Sequence, residues 1–151
     1  MVELNVDIKS GKSFKFEKEF VQILENLQNY FQINKTILLD VSIVDNEEIR
    51  MLNKEYRGKD YATDILSFDF GNEDFYDAMP FLAIGELVIN HEKVEAQAKE
   101  YGHSLKREYC YLFAHGCIHL MGYDHETEEE KKEMDGLVDS IFNPLNITRE
   151  E

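Results

Sequence analysis

The stretch His115-Gly116-Cys117-Ile118-His119-Leu120-Met121-Gly122-Tyr123-Asp124-His125 places three of the chain's five histidines within eleven residues. Histidines four apart on a helix project from one face, so His115 and His119 can aim both rings at a single ion. Gly122 then stops the helix, through a backbone turn that glycine makes at little cost. That turn swings His125 back as a third donor. Three neutral imidazoles leave the fourth position of a tetrahedral metal open, as in a catalytic rather than a structural zinc site. A lone histidine on a helix is usually a surface or core residue, and His91 and His103 are read that way.

The two cysteines are expected to stay out of this centre. Cys117 points roughly 200° around the helix from His115, and Cys110 about 140°. Their own Cα atoms lie about 10.5 Å apart along one helix, beyond the roughly 7 Å a disulfide can span. No other cysteine is present, and a reduced compartment fits. The histidine spacing matches the metzincin protease pattern H-E-x-x-H-x-x-G-x-x-H except that Gly116 stands where the general-base glutamate would be. Peptide hydrolysis depends on that glutamate there, so a peptidase becomes the secondary reading. A glycine inside a helix also costs about 1 kcal/mol relative to alanine. The expected compensation is a close approach of substrate or backbone above the metal.

Around this centre the chain reads as one ordinary domain. Its 151 residues are 43% hydrophobic and 31% charged, a composition neither disordered nor membrane-spanning. A single domain over residues 1–151 is expected, without repeats or linkers. No apolar run approaches the ~18 residues of a membrane span, and the opening residues lack the basic flank and apolar block of a secretory signal. The expected location is cytoplasmic. The net charge is −15, from 16 basic and 31 acidic residues, which argues against a general nucleic-acid coat protein, since phosphate binding is driven by Lys and Arg. The charge is uneven, however. Asp124 to Glu151 carries −7, while Lys9 to Lys18 carries +3.

Val2, Leu4, Val6 and Ile8 alternate with polar partners, the period of a half-buried strand. Ser10-Gly11 turns the chain, and Phe16, Phe20, Ile23, Leu24, Leu27 and Phe31 recur at helical spacing. A second strand carries Ile37, Leu39, Val41 and Ile43. Asp45 with Glu48 marks a capped helix start, and Gly58 its stop. Ile65–Phe70 and Ile84–Ile89 read as strands, separated by a loop from Gly71 to Pro80 with Glu73, Asp74 and Asp77. Helices are expected over about His91–Glu100 and Ser104–Met121. A last one opens at Thr127, carries Met134, Leu137 and Ile141, and halts at Pro144. Four strands and five helices predict an α+β fold, a small mixed sheet with helices packed on it.

The histidine segment closely resembles the H-G-x-x-H-L-x-G-Y-D-H signature of the YbeY-type bacterial endoribonucleases, the ribosomal-RNA maturation factors. Two further segments agree with that family. Leu52-Asn53-Lys54-Glu55-Tyr56-Arg57-Gly58-Lys59-Asp60 resembles its L-N-x-x-Y-R-x-x-D stretch, and Thr63-Asp64-Ile65-Leu66-Ser67-Phe68 its T-D-V-L-S-F strand. The likeness runs from about residue 37 to 143. Asp69 stands where the family usually has proline, and Gly85-Glu86-Leu87 replaces its G-D-I strand. The resemblance implies a zincin-like fold with one zinc ion held by His115, His119 and His125. It also implies single-strand RNA cleavage in small-subunit ribosomal RNA maturation and ribosome quality control, with the small subunit or its proteins as partners.

Cleaving an RNA phosphodiester builds negative charge on phosphoryl oxygens, which a guanidinium can stabilise with two parallel hydrogen bonds. Arg57 is the candidate catalytic residue on this ground, a choice the resemblance also favours. Lys59, just beyond it, is the candidate substrate-binding residue. Arg57 has a plainer reading, as a solvent-facing partner of Asp60 or a nearby glutamate. Asp124 either orients a histidine, acts as base, or is a turn residue. The spaced lysines Lys9, Lys12, Lys15 and Lys18 are read as a solvated face, and the acidic last helix as solubilising surface. Besides a metal-dependent ribonuclease, two alternatives stay open: a metal hydrolase of another substrate, peptide included, and a non-catalytic ribosome-assembly factor with a stabilising zinc.

Overall fold

Alternation and helical periodicity both translate directly into elements in the computed structural model, which describes residues 1–9, 13–69 and 78–148. In chain order these are β1 (Val2–Ile8), α1 (Glu17–Tyr30), β2 (Thr36–Val44), α2 (Asn46–Arg57), β3 (Ile65–Phe68), β4 (Phe81–Asn90), α3 (His91–Tyr101), α4 (Leu105–Leu120) and α5 (Glu128–Phe142). A 3-10 turn, Asn143–Leu145, follows with its proline inside it. The Ser10-Gly11 turn, Lys12 and the loop acids Glu73, Asp74 and Asp77 lie outside the described residues.

The helix starts are set by side chains that accept otherwise orphaned backbone N–H groups. Asp45 accepts from the Glu48 N–H at 3.0 Å, Ser104 from Arg107 at 3.0 Å and Thr127 from Glu130 at 3.1 Å. Gly58 closes α2 in the left-handed conformation, with φ +71°.

The sheet is mixed, in the order β1-β2-β4-β3. β1 and β2 are parallel, joined by α1, and β2 and β4 are also parallel. β3 returns antiparallel along the outer side of β4. β4 begins three residues earlier than its apolar run predicts, because Phe81 to Ala83 pair with Thr36 to Leu38. The register then slips, so that Leu39 faces Gly85 and Ile84 bulges out. β3 ends at Phe68, with Asp69 outside it, and the predicted last residue, Phe70, lies outside the described residues.

Both faces of the sheet are covered, one much more heavily. Ile37, Leu39, Val41 and Ile43 of β2 and Leu87 and Ile89 of β4 join Phe20, Ile23, Leu24 and Leu27 of α1 in the main core. Phe113 of α4 stacks on Phe20 with ring centroids 3.9 Å apart. Met134, Val138, Ile141 and Phe142 of α5 close the same core. Residues of opposite parity, Val44, Val88 and Leu66, turn to the other face and meet Ile49 of α2. Cys110 and Cys117 are free and buried. Burial pushes the Cys110 thiol up to about 12 and holds the Cys117 thiol well above its ordinary range.

Candidate metal centre

α4 carries His115 and His119 on the side away from its buried cysteines, and its close seat on the sheet depends on Gly116. A Cβ built there would lie 2.9 Å from Ile65 Cδ1 and 3.0 Å from Leu87 Cδ2. The missing side chain thus lets the helix press onto β3 and β4. This corrects the expectation that substrate or backbone above the metal would account for Gly116. The side chains beneath the helix account for it.

Met121 ends α4, and Gly122 follows with φ +99°, a conformation that side-chain-bearing residues rarely adopt. The chain then doubles back. The His125 ring centroid comes to 5.6 Å from that of His115 and 6.4 Å from that of His119. Donor atoms of His119, Asp124 and His125 lie within 4.8 Å of one another, a group that could hold a metal ion. Asp124 also accepts a hydrogen bond from the His125 N–H at 2.8 Å. Its carboxylate therefore shapes the turn and stands among the donors at once, where the sequence offered a histidine-orienting residue, a base or a turn residue.

Two observations fit a cation here. Nδ1 of His119 is buried without a hydrogen-bond partner, which is costly for a polar atom unless something outside the chain satisfies it. The His115 pKa is lowered, first by burial and then by the neighbouring His125 and His119. The neutral, ligand-competent imidazole is therefore favoured. Imidazole donors suit divalent transition ions.

The three histidines share one cavity of about 510 Å³. One wall is the run Thr63 to Ile65 with Ser67, at the start of and along β3; the far end is made by Gln97 and Tyr101 of α3. The floor is a stripe of α4: Glu108, Tyr111, Leu112, His115, Gly116 and His119. The stripe was legible in principle. Stepping back from His115 by three, four and seven residues gives Leu112, Tyr111 and Glu108. Asp64 and Gln97 gave no such signal, because they arrive from other elements.

Arg57 ends α2 and is exposed. It donates from a terminal guanidinium nitrogen to the Ser67 carbonyl and lies over the Phe68 ring, 5.0 Å from its centroid. Its plainer assignment to Asp60 does not hold, since Asp60 pairs with Arg50 at 2.7 Å. Arg57 thus reaches the strand whose Ser67 borders the cavity. Lys59 is exposed, with its backbone N–H bonded to the Asn53 carbonyl. His91 pairs with Glu95 at 3.1 Å and His103 approaches Glu108 at 3.8 Å, so both stand apart from the three clustered rings, as expected.

The Endoribonuclease YbeY family model matches residues 3–146. This chain belongs to that family. The chain is 56% identical over 148 residues to Endoribonuclease YbeY of Mycoplasmopsis synoviae (strain 53), covering 98% of this chain and 96% of the relative. With Endoribonuclease YbeY of Mycoplasmopsis pulmonis (strain UAB CTIP) it shares 46% over 146 residues, covering 97% and 98%. The solution structure of TM1509 from Thermotoga maritima is similar with a TM-score of 0.60 and 26% identity, over 97% of this chain and 92% of that one. Membership of the YbeY family supports an endoribonuclease, hence hydrolase, role with RNA as substrate. Among the described residues no helix is long and apolar enough to cross a membrane.

Proposed function

We propose that this chain is a cytoplasmic, zinc-dependent endoribonuclease, one domain over residues 1–151, that cuts single-stranded RNA during small-subunit ribosomal RNA maturation and quality control. The observation that carries the reading is the convergence of His115, His119 and His125 on one cavity, in a chain that belongs to the Endoribonuclease YbeY family. These three imidazoles would hold the ion, with Asp124 beside them. When bound, a divalent cation supplies Lewis acidity toward water and toward a phosphoryl oxygen.

The chain's own residues supply position and charge. Burial lowers the His115 pKa and so favours its neutral, ligating form. Arg57, held at β3 by the Ser67 carbonyl and the Phe68 ring, would offset with its fixed positive charge the charge that builds on a phosphodiester bound along that strand. Lys59, exposed beyond the α2 stop, would meet the RNA backbone as a point charge. Gly116 in place of a glutamate removes the base that a protease of this spacing needs. Ribosomal RNA precursor and the small subunit are the proposed partners.

The test is incubation of purified, metal-loaded protein with single-stranded and structured RNA, alongside His115→Ala and Arg57→Ala. Single-stranded RNA should be cut preferentially, and both variants should be slow. Cleavage surviving in His115→Ala would identify a contaminating nuclease. An unchanged rate in Arg57→Ala would remove the charge-stabilising role.

A further inference from the structure

The cavity extends well beyond the three histidines, and the far part has its own chemistry. Glu108 stands two helical turns before His115 on the same α4 stripe, mostly buried, with His103 Nδ1 at 3.8 Å. Gln97 donates one amide hydrogen to Asp64 at 3.3 Å, which leaves its carbonyl oxygen and its second N–H to offer a ligand. Asp64 and Glu108 add carboxylate oxygens. Tyr101 and Tyr111 supply aromatic surface to the same space. The wall is therefore rich in acceptors, beside rings that a flat ligand can stack on. Among the described residues Asp64 and Glu108 join no cluster of three metal-ligating groups; the one such set is His119, Asp124 and His125. The Asp64–Gln97–Glu108 end is thus a polar recess opening onto the site rather than a second cation site.

Resting on the ribonuclease reading, we infer that this recess is a base-recognition subsite selecting guanine beside the cleaved bond. Of the four RNA bases, guanine alone presents adjacent donors, N1–H and the exocyclic amino group, on one edge. A carboxylate such as Glu108 accepts both, with the Gln97 carbonyl within the same recess. Adenine and cytosine offer one amino group next to a ring acceptor, and uracil one N–H between two carbonyls. Set against the Glu108 carboxylate, each of those acceptors would lie unpaired and desolvated. Unstacked bases of single-stranded RNA are read in this way, by stacking on aromatic rings and hydrogen bonds to their pairing edge. Burial, and then the nearby Asp64, disfavour the Glu108 charge, a cost that two N–H donors would offset.

Two measurements test the inference separately from the ribonuclease reading. Metal-loaded protein is given single-stranded RNAs that differ at one position by guanosine, inosine, adenosine or uridine. Cleavage should concentrate at a fixed offset from guanosine and fall about tenfold or more with inosine, which lacks only the amino group, or with Glu108→Gln. In parallel, the Gln97 side-chain amide is followed by NMR as guanosine, inosine, adenosine or uridine is added to metal-free protein. Guanosine alone should shift it saturably, and Glu108→Gln or Asp64→Asn should weaken that binding while the protein still melts cooperatively. Cleavage indifferent to the base overturns the subsite and leaves the nuclease standing. Selective guanosine binding without any cleavage keeps the subsite and removes the nuclease. Equal response to all four nucleosides, or none, overturns the inference.

Discussion

Gly85→Ala is expected to be among the most damaging single-methyl additions available to this protein. Gly85 sits where β4 slips register against β2, with φ +148°. Holding an alanine in that region costs about 1–3 kcal/mol. The new Cβ would also drive into the carbonyl oxygen of Phe68, and would lie 2.9 Å from Leu120 Cδ2 and 3.2 Å from Asp69 Cα. Two of these neighbours are backbone, so relief requires β3 to move, and such overpacking adds about 1–3 kcal/mol. A combined loss of about 2–6 kcal/mol lowers the melting temperature by roughly 4–24 °C for a domain of this size. The displaced strand carries Ser67 and Phe68, which hold Arg57, so activity should fall even below the melting range. Calorimetry of the variant beside Gly136→Ala is the assay. Gly136 lies inside α5 with nothing within 4 Å of its would-be Cβ, so the same chemical change there should stabilise by about 1 kcal/mol. A Gly85→Ala protein melting within two degrees or so of the parent would refute this account of the bulge.

Other outcomes follow from the site and the core. Protein purified without chelator should carry one ion per chain, and His119→Ala or His125→Ala should lose it by elemental analysis; full retention in either variant would remove the proposed ligand set. The Glu108 carboxyl is raised by burial first and by Asp64 next, with Arg107 opposing and His103 nearby. The folded protein therefore binds this proton more tightly than the unfolded chain, and the stabilisation present below the ordinary glutamate range is lost as pH rises through the raised value. Glu108→Gln should consequently raise the melting temperature of metal-free protein at pH 7 and change it little near pH 4; a lower melting temperature at pH 7 would contradict that sign. Cys110 and Cys117 should resist an aromatic disulfide reagent until urea unfolds the chain, whereas prompt labelling would show that the core beneath α4 opens readily.

How much of this could be read beforehand depended on whether the signal was local. Asp45 and Thr127 cap their helices as the glutamates three residues on foretell, because a cap is decided within one turn. The alternation of Ile37, Leu39, Val41 and Ile43 fixes which side of β2 is buried. The three clustered histidines follow from helical spacing and one glycine. What escaped is non-local. The early start of β4 depends on its partner strand, and the role of Gly116 depends on Ile65 and Leu87, far away in sequence. Arg57 finds Ser67 rather than Asp60 because β3 passes beside the end of α2 while Arg50 already holds that acid. Asp124 read as a histidine-orienting group, a base or a turn residue; it does shape the turn, but only the doubled-back chain shows that it also stands among the donors.

The way α5 closes the core separates possessing the ligands from being able to hold them. Every donor of the histidine centre has been synthesised by residue 125, yet Met134, Val138 and Ile141, each fully buried against the rest of the domain, come afterwards. A nascent chain that has emerged only that far exposes the apolar surface awaiting these side chains, at roughly 25 cal/mol for each Å² left in water. Its imidazoles then belong to a loose polymer. Competence for chemistry arrives with the last helix, which contributes no atom to it.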